Sequence, residues 1–410
     1  MKGFASSCVR MYCGTNLVLR IVGGMAVGIA LALAVPGWTA VGLLGDIFVG
    51  MLKAVAPVLV ALLVTNSIAA GHTMANRKFG FVIFLYLLGT FASAVVAVVG
   101  SALFPQTLVL QSAAEGMSAP CGLAEVFRNL LAKVTANPVA AVAEANYLGV
   151  LFWSVLCGLA LRRVAGAEFK ATLATLSDGV SRIVRWIVGC APFGVLGLVF
   201  AAVSQNGPAV FRTYGALVAL LVGCMAFVAF AMNPLIVFLA TGRNPYPLVF
   251  TCLRRSGVTA FFTRSSAANI PVNMELCEDL GLDRNLYSVS IPLGATINMS
   301  GAAVTITVMT MAAVNTLGMR PDALSALLLS VLAAFAACGA SGVAGGSLLL
   351  IPMACSLFGI GSDVAMQVVG TGFVIGVIQD SVETMLNSSG DVLFAATAEM
   401  RASGRPGRPI

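Results

Sequence analysis

Thr263-Arg264-Ser265-Ser266-Ala267-Ala268-Asn269-Ile270-Pro271-Val272-Asn273 stands between apolar runs, and Cys338-Gly339-Ala340-Ser341-Gly342-Val343-Ala344-Gly345-Gly346-Ser347 does the same before the chain turns apolar again up to Pro352. Both stretches interrupt sequence that is otherwise apolar enough for lipid. Backbone amides and carbonyls without internal partners are tolerated at membrane depth only where protein buries them or where they line a cavity. The two stretches are therefore read as tips of re-entrant helical hairpins. The simpler alternative is a pair of polar loops at the membrane surface, but such loops have little need of so many small, nearly uncharged residues.

The surrounding composition supports the membrane reading. Charged residues are 10% of the 410 and apolar ones 59%, with a mean hydropathy of +0.98, far from the quarter-charged make-up of a soluble domain. At roughly 20 apolar residues per crossing, the chain is expected to be an all-α membrane protein of about eight transmembrane helices beside the two hairpins, with no extramembrane catalytic domain. The apolar segments run from 17 to 36, 41 to 71, 78 to 104, 139 to 161, 181 to 205, 210 to 240, 285 to 316, 323 to 337 and 364 to 395. The first is read as an uncleaved helix rather than a secretory signal, because further spans follow at once. A cytoplasmic N-terminus leaves only Arg128, Lys133, Arg212 and Arg320 of the loop cations on the outer side, which agrees with the positive-inside rule and also places the C-terminus in the cytoplasm.

Other classes lack their residues. The net charge of +7 is spread singly or in pairs, with no basic stripe for nucleic acid. The ten cysteines show no metal or redox spacing and read as small packing residues, and the single His72 has no second member for a metal site or triad. No phosphate-binding Gly loop, GxSxG elbow or HExxH occurs, and Ser265 or Ser266 has no base in a plausible motif, so an enzyme is not expected.

The chemistry concentrates in the last apolar segment. At about 100° per residue, Asp380, Glu383, Thr384, Asn387 and Asp391 fall within an arc of about 100° on one helix face. A carboxylate at the centre of a membrane helix costs at least about 2.5 kcal/mol, so three on one face call for cations, protons or a polar ligand. The bland alternative, a helix end at the cytoplasmic surface, suits Asp391 better than Asp380. Upstream, Pro292-Leu293-Gly294-Ala295-Thr296-Ile297-Asn298-Met299-Ser300-Gly301 breaks another span, and unwound backbone offers carbonyl oxygens to a small cation such as Na⁺ and amides to a carboxylate. A faint echo links the halves: Asn298-Met299-Ser300-Gly301 after the first polar stretch and Asn387-Ser388-Ser389-Gly390 after the second, which suggests a hairpin and an interrupted helix, twice. Gly24 and Gly28 are expected to let helices pack closely.

Thr263 to Ser266, Pro292 to Met299 and Asp380 to Asp391 together resemble the dicarboxylate/amino acid:cation symporter family, the glutamate-transporter fold, over nearly the whole chain. Within it the resemblance is nearest to the bacterial sodium-dependent serine/threonine branch. It implies inverted repeats and an elevator built from scaffold and transport domains in a homotrimer of the bacterial inner membrane. Residues 1–70, 120–180 and 181–210 then match scaffold helices. Residues 71–119, 211–243, 284–320 and 362–396 match the third, sixth, seventh and eighth helices, 244–283 and 321–361 the two hairpins, and 397–410 a cytoplasmic tail.

The resemblance also implies roles. Asp380 matches the position that binds a substrate amino group, and Asn387, with Ser265 and Ser266 at the first hairpin tip, the α-carboxylate. Gly294, Asn298, Asn387 and Asp391 match one Na⁺ site. Gly339, Ala340, Ser341 and Gly342 match the extracellular gate, whose backbone with that of Thr296 and Met299 matches a second Na⁺ site. Na⁺ is thus a co-transported ion rather than a fixed cofactor. Two departures set this chain apart. Glu383 stands where acidic amino acid carriers place an Arg that pairs with the substrate's side-chain carboxylate, so the resemblance points to L-serine and L-threonine, with Thr384 a candidate hydroxyl partner and Arg264 a counter-charge for Glu383 or Asp380. Ser300 stands where those carriers have an Asp, and Gly89 beside Tyr86 and Thr90 replaces a Thr, so a third Na⁺ is not expected. The alternatives are a carrier of other small neutral amino acids such as alanine, and a channel-like cation pathway.

Overall fold

The computed structural model describes residues 17–69, 77–110, 134–207, 209–340 and 345–403, and every regular element among them is helical. His72, Arg128, Lys133 and the gate residues Ser341 and Gly342 lie outside the described residues. Five helices are long and apolar enough to cross a membrane, or six if one bent pair counts as a span.

One group of helices packs around α2 (Leu43–Ala69): the short α4 (Pro138–Ala143), α5 (Tyr147–Val164), α6 (Ala167–Gly189) and α7 (Ala191–Asn206), with α1 (Leu17–Ala34) joined to the group through α7. The crossing of α1 and α7 is close because a Cβ on Gly24 would lie 2.2 Å from the Pro192 carbonyl oxygen, and one on Gly28 2.6 Å from that of Leu196. The small-residue stripe on α1 therefore works as expected. The run read as a single segment from 181 to 205 divides at Cys190, where α6 and α7 meet at 52°. The reason is legible: Leu173, Ser177, Ser181, Val184 and Val188 form the one buried stripe of α6, with Arg182 and Arg185 exposed outside it, and Pro192 fits the first turn of a new helix.

The second group is built on α15 (Ser362–Ser403), a continuous helix of 42 residues. Around it lie α3 (Arg77–Leu103), α8 (residues 210–241), α11 (Arg284–Ile297) and α12 (Ser300–Thr316). The first hairpin pairs α9 (residues 246–263) with α10 (Ser266–Asp279), and an Arg255–Asp279 ion pair at 2.6 Å ties its arms. Its tip is narrower than the polar stretch suggests: only Arg264 and Ser265 leave the helical path, and Ser266 to Asn273 is helical. Ser265 caps the new helix by accepting from the Ala268 amide at 3.2 Å, and the polar Asn269 and Asn273 turn inward, fully buried. The second hairpin has arms α13 (Ala323–Ala337) and, after a 3₁₀ turn at Leu348–Leu350, α14 (Ile351–Ser356).

The two expected helix interruptions fare differently. The first is present: Asn298 and Met299 are non-helical and separate α11 from α12. The second is absent, since α15 runs unbroken through Asn387-Ser388-Ser389-Gly390. There Ser389 returns its hydroxyl to the Met385 carbonyl at 2.7 Å, and Gly390 leaves room for the Asn298 side chain, whose Nδ2 would lie 2.8 Å from an added Cβ. The glycine serves approach by the broken helix rather than a break of its own.

Candidate functional site

Helix α15 buries the whole expected face. Asp380, Glu383, Thr384, Asn387 and Asp391 are each at most 6% exposed, so the surface alternative for Asp391 does not hold. Each side chain is positioned by a different neighbour.

Asp380 meets the first hairpin tip. Arg264 takes a left-handed backbone conformation, φ 52°, that turns the chain between the hairpin arms. Its Nε and a guanidinium nitrogen both lie 2.7 Å from Asp380 Oδ2, and the Gly345 amide of the second hairpin donates to Oδ1 at 3.4 Å. Of the two carboxylates open to Arg264 on sequence grounds, Asp380 is the partner. Glu383 takes neutral donors instead: Thr305 Oγ1 at 2.8 Å, Ser347 Oγ at 2.9 Å and Gln379 Nε2, all on Oε2. Helix α12 approaches closely here because Gly301 has no side chain; a Cβ there would lie 2.7 Å from the Glu383 carbonyl oxygen. Thr384 donates its hydroxyl to the Asp380 carbonyl at 2.8 Å.

One turn on, Asn387 Oδ1 accepts the Gly301 amide at 2.7 Å, at the free N-terminal end of α12, and its Nδ2 lies 3.4 Å from Met299 Sδ. Asn298, at the helix break, donates to Asp391 Oδ1 at 2.9 Å and to the Asn387 carbonyl at 3.1 Å, while its own Oδ1 is buried without a hydrogen-bond partner. Gly294 lies against the same carboxylate, its would-be Cβ 2.7 Å from Asp391 Oδ1. The residues of the first expected Na⁺ site thus converge on one point. Its donor set, one carboxylate with amide and main-chain oxygens, is hard and weakly charged, which suits an alkali cation rather than a transition metal. Among the described residues no cluster of three or more His, Cys, Asp or Glu side chains forms a metal site.

Other expected residues are placed less centrally. Ser266 is buried at the start of α10, whereas Ser265 spends its hydroxyl oxygen on the cap. Thr296 returns its hydroxyl to the Leu293 carbonyl at 2.7 Å, and the Met299 amide donates to Thr90 at 3.3 Å. Gly339 and Ala340 are buried, and the neighbouring Cys338 Sγ donates to the Ile297 carbonyl at 3.4 Å, so the second hairpin abuts the helix break. Sequence reasoning assigned no role to Thr305, Ser347 and Gln379 around Glu383, nor to the buried network of Ser256, Asn269, Asn273 and Ser388. In that network Asn273 Nδ2 reaches Ser388 Oγ at 3.0 Å and Asp391 Oδ2 at 3.5 Å. It lies beside a π turn at Leu253–Gly257, a distortion common at functional sites. Isolated polar residues inside apolar helices were the available signal.

A lipid-facing helical body that buries three carboxylates between two hairpins and a broken helix is the site of a solute carrier. The chain belongs to the sodium:dicarboxylate symporter family, whose profile matches residues 17–400; it is a transporter, not an enzyme. It is 56% identical over 400 residues to a protein of Bifidobacterium adolescentis named serine/threonine transporter SstT, covering 98% of this chain and 93% of that one. A protein of the same name from Streptococcus thermophilus strain LMG 18311 is 56% identical over 97% of this chain and 98% of its own, and one from Streptococcus agalactiae serotype III 55% over 95% and 97%.

Proposed function

We propose that the chain imports serine and threonine with Na⁺ across the bacterial inner membrane. The observation that carries the reading is the occupant of position 383: a buried Glu that no ion pair reaches among the described residues, three places along one helix from the carboxylate paired with Arg264. An aspartate or glutamate substrate would meet like charge or a missing partner there for its second carboxylate, whereas a small hydroxy amino acid brings none. The relatives that share more than half of the sequence carry the same substrate in their names.

In this reading the substrate ammonium binds Asp380, in competition with Arg264, and the α-carboxylate meets Asn387 and the amides beside Ser266. Na⁺ is held by Asp391, Asn298, Asn387 and the Gly294 carbonyl, and a second Na⁺ by the backbone of Thr296 and Met299 as the gate at Gly339 to Gly342 closes. Substrate and ion then share Asn387, so each favours the state the other binds. The group around α2 serves as a trimerising scaffold, and the group around α15 moves as the elevator, in two inverted repeats. A third Na⁺ has no place, since Ser300 carries no charge and a Cβ on Gly89 would lie 2.7 Å from the Phe394 ring.

Uptake of labelled serine, threonine, alanine and aspartate into proteoliposomes tests this. With an inward Na⁺ gradient, serine and threonine are expected to accumulate saturably and aspartate not at all, with fewer than three Na⁺ per substrate. Serine uptake indifferent to Na⁺, or aspartate as the preferred substrate, would overturn the reading; Na⁺ flux uncoupled from substrate would favour a channel. Both termini are assigned to the cytoplasm on the loop charges, and a reporter active only in the cytoplasm should be active when fused at the C-terminus.

A further inference from the structure

We infer that Asn273 is a positioning residue for the Asp391 carboxylate, holding its second oxygen so that the first faces the cation. The inference rests on the Na⁺ site proposed above and adds a residue from outside it. Asp391 Oδ1 accepts from Asn298 Nδ2 at 2.9 Å and lies against Gly294. Asn273 Nδ2 lies 3.5 Å from Oδ2, which no other hydrogen bond reaches among the described residues. The carboxylate is thus held from two sides, by the helix break at Oδ1 and by the first hairpin at Oδ2. Held at Oδ1 alone, it could turn about its Cβ–Cγ bond, a torsion with broad minima, and its buried Oδ2 would have no donor.

A buried network aims the amide. Asn269 and Asn273 stand four residues apart on α10 and share one face, and they are fully buried with Ser256 and Ser388. Asn273 Oδ1 accepts from Ser256 Oγ on α9 and lies 3.1 Å from Asn269 Nδ2, so the oxygen end is fixed and the NH₂ end must face α15. There its two protons meet three acceptors: Ser388 Oγ at 3.0 Å, the Ser388 carbonyl at 3.1 Å and Asp391 Oδ2 at 3.5 Å. The contact to Asp391 is the longest of these, which puts its effect at the low end of what the outer partners of an ion's ligands contribute, about tenfold in affinity. Asn269 Nδ2 also reaches Ser388 Oγ, at 2.8 Å. Loss of the Asn273 amide therefore leaves the hairpin tied to α15, and ion affinity can change while the fold persists.

Serine uptake into proteoliposomes of the full-length carrier at a series of Na⁺ concentrations is the test, with thermal midpoints taken in detergent without Na⁺. Asn273→Ala is expected to raise the Na⁺ concentration for half-maximal uptake about tenfold and to keep the maximal rate at saturating Na⁺. A lowered thermal midpoint with half-saturating Na⁺ unchanged, or reduced, would make Asn273 a packing residue only and overturn the inference. The double variant with Asp391→Asn separates the two roles further. There the alanine substitution should shift half-saturation by less than about twofold, because the carboxylate it acts through is already gone, and a second tenfold loss would overturn the inference. Asn273→Ser keeps a hydroxyl within the network but ends one atom short of Asp391; it should show the same tenfold shift and carries the test if the alanine variant does not fold. Should Asp391→Asn alone leave half-saturating Na⁺ unchanged, the Na⁺ site itself falls and this inference with it, whereas serine uptake that needs no Na⁺ would overturn the import reading.

Discussion

Asp380→Asn is expected to reduce serine uptake about hundredfold or more, the loss of a charge-assisted contact to the substrate ammonium. The same change should destabilise the protein, because Arg264 and Asp380 expose only 10% and 5% of their side chains and the variant leaves the guanidinium without its counter-charge. Breaking one partner of such a pair costs about 3–5 kcal/mol. The two effects separate in the double variant Arg264→Gln with Asp380→Asn, which carries no uncompensated charge. Its thermal midpoint in detergent should recover most of the loss, while uptake stays absent. Uptake that returned together with stability would show that Asp380 matters only as the partner of Arg264, and normal transport by the single variant would remove the amino-group site altogether.

How much of this site could be read before the structure depends on which interactions are periodic. The face of α15 follows from spacing alone, since residues 380, 383, 384, 387 and 391 can share a side only in a helix and carboxylates cannot share the lipid side. The break at Asn298 was legible for the same reason: Gly and small polar residues crowd a run that should be apolar. The echo at Asn387 to Gly390 was misleading, because Gly and Ser report close backbone approach as readily as unwinding. Only contact with Asn298 tells the two apart. Likewise the polar stretch after Thr263 looked unlike a helix because its apolar stripe is replaced by Asn269 and Asn273. Those amides find partners on Ser256 and Ser388, the latter 119 residues further along from Asn269. The choice of Arg264 between Asp380 and Glu383 is likewise set by packing across α9, α12 and α15, which local sequence does not encode. The kink at Cys190 was present as a shift from an amphipathic stripe to an apolar run, beneath a hydropathy that reads as continuous.

Asp391→Asn should raise the Na⁺ concentration for half-maximal serine uptake about tenfold or more, and leave the fold nearly intact. The substitution keeps the side chain's size and an oxygen able to accept from Asn298 Nδ2, now at 2.9 Å, but removes the only full charge among Gly294, Asn298, Asn387 and Asp391. The main-chain and amide oxygens that remain supply partial charges alone, and Asn298 Oδ1, buried without a partner, cannot compensate. The consequence for substrate follows from linkage. Asn387 joins the two sites, its carbonyl bonded to Asn298 and its Oδ1 held by the Gly301 amide at 2.7 Å, so whatever factor Na⁺ contributes to serine affinity, serine contributes to Na⁺ affinity. Weakened Na⁺ binding should therefore appear as weakened serine binding at low Na⁺ that recovers as Na⁺ is raised. Isothermal titration of serine at a series of Na⁺ concentrations measures both. A half-saturating Na⁺ concentration unchanged from that of the unaltered carrier would place the coupling ion elsewhere, and serine affinity that stayed low at saturating Na⁺ would make Asp391 a substrate ligand instead.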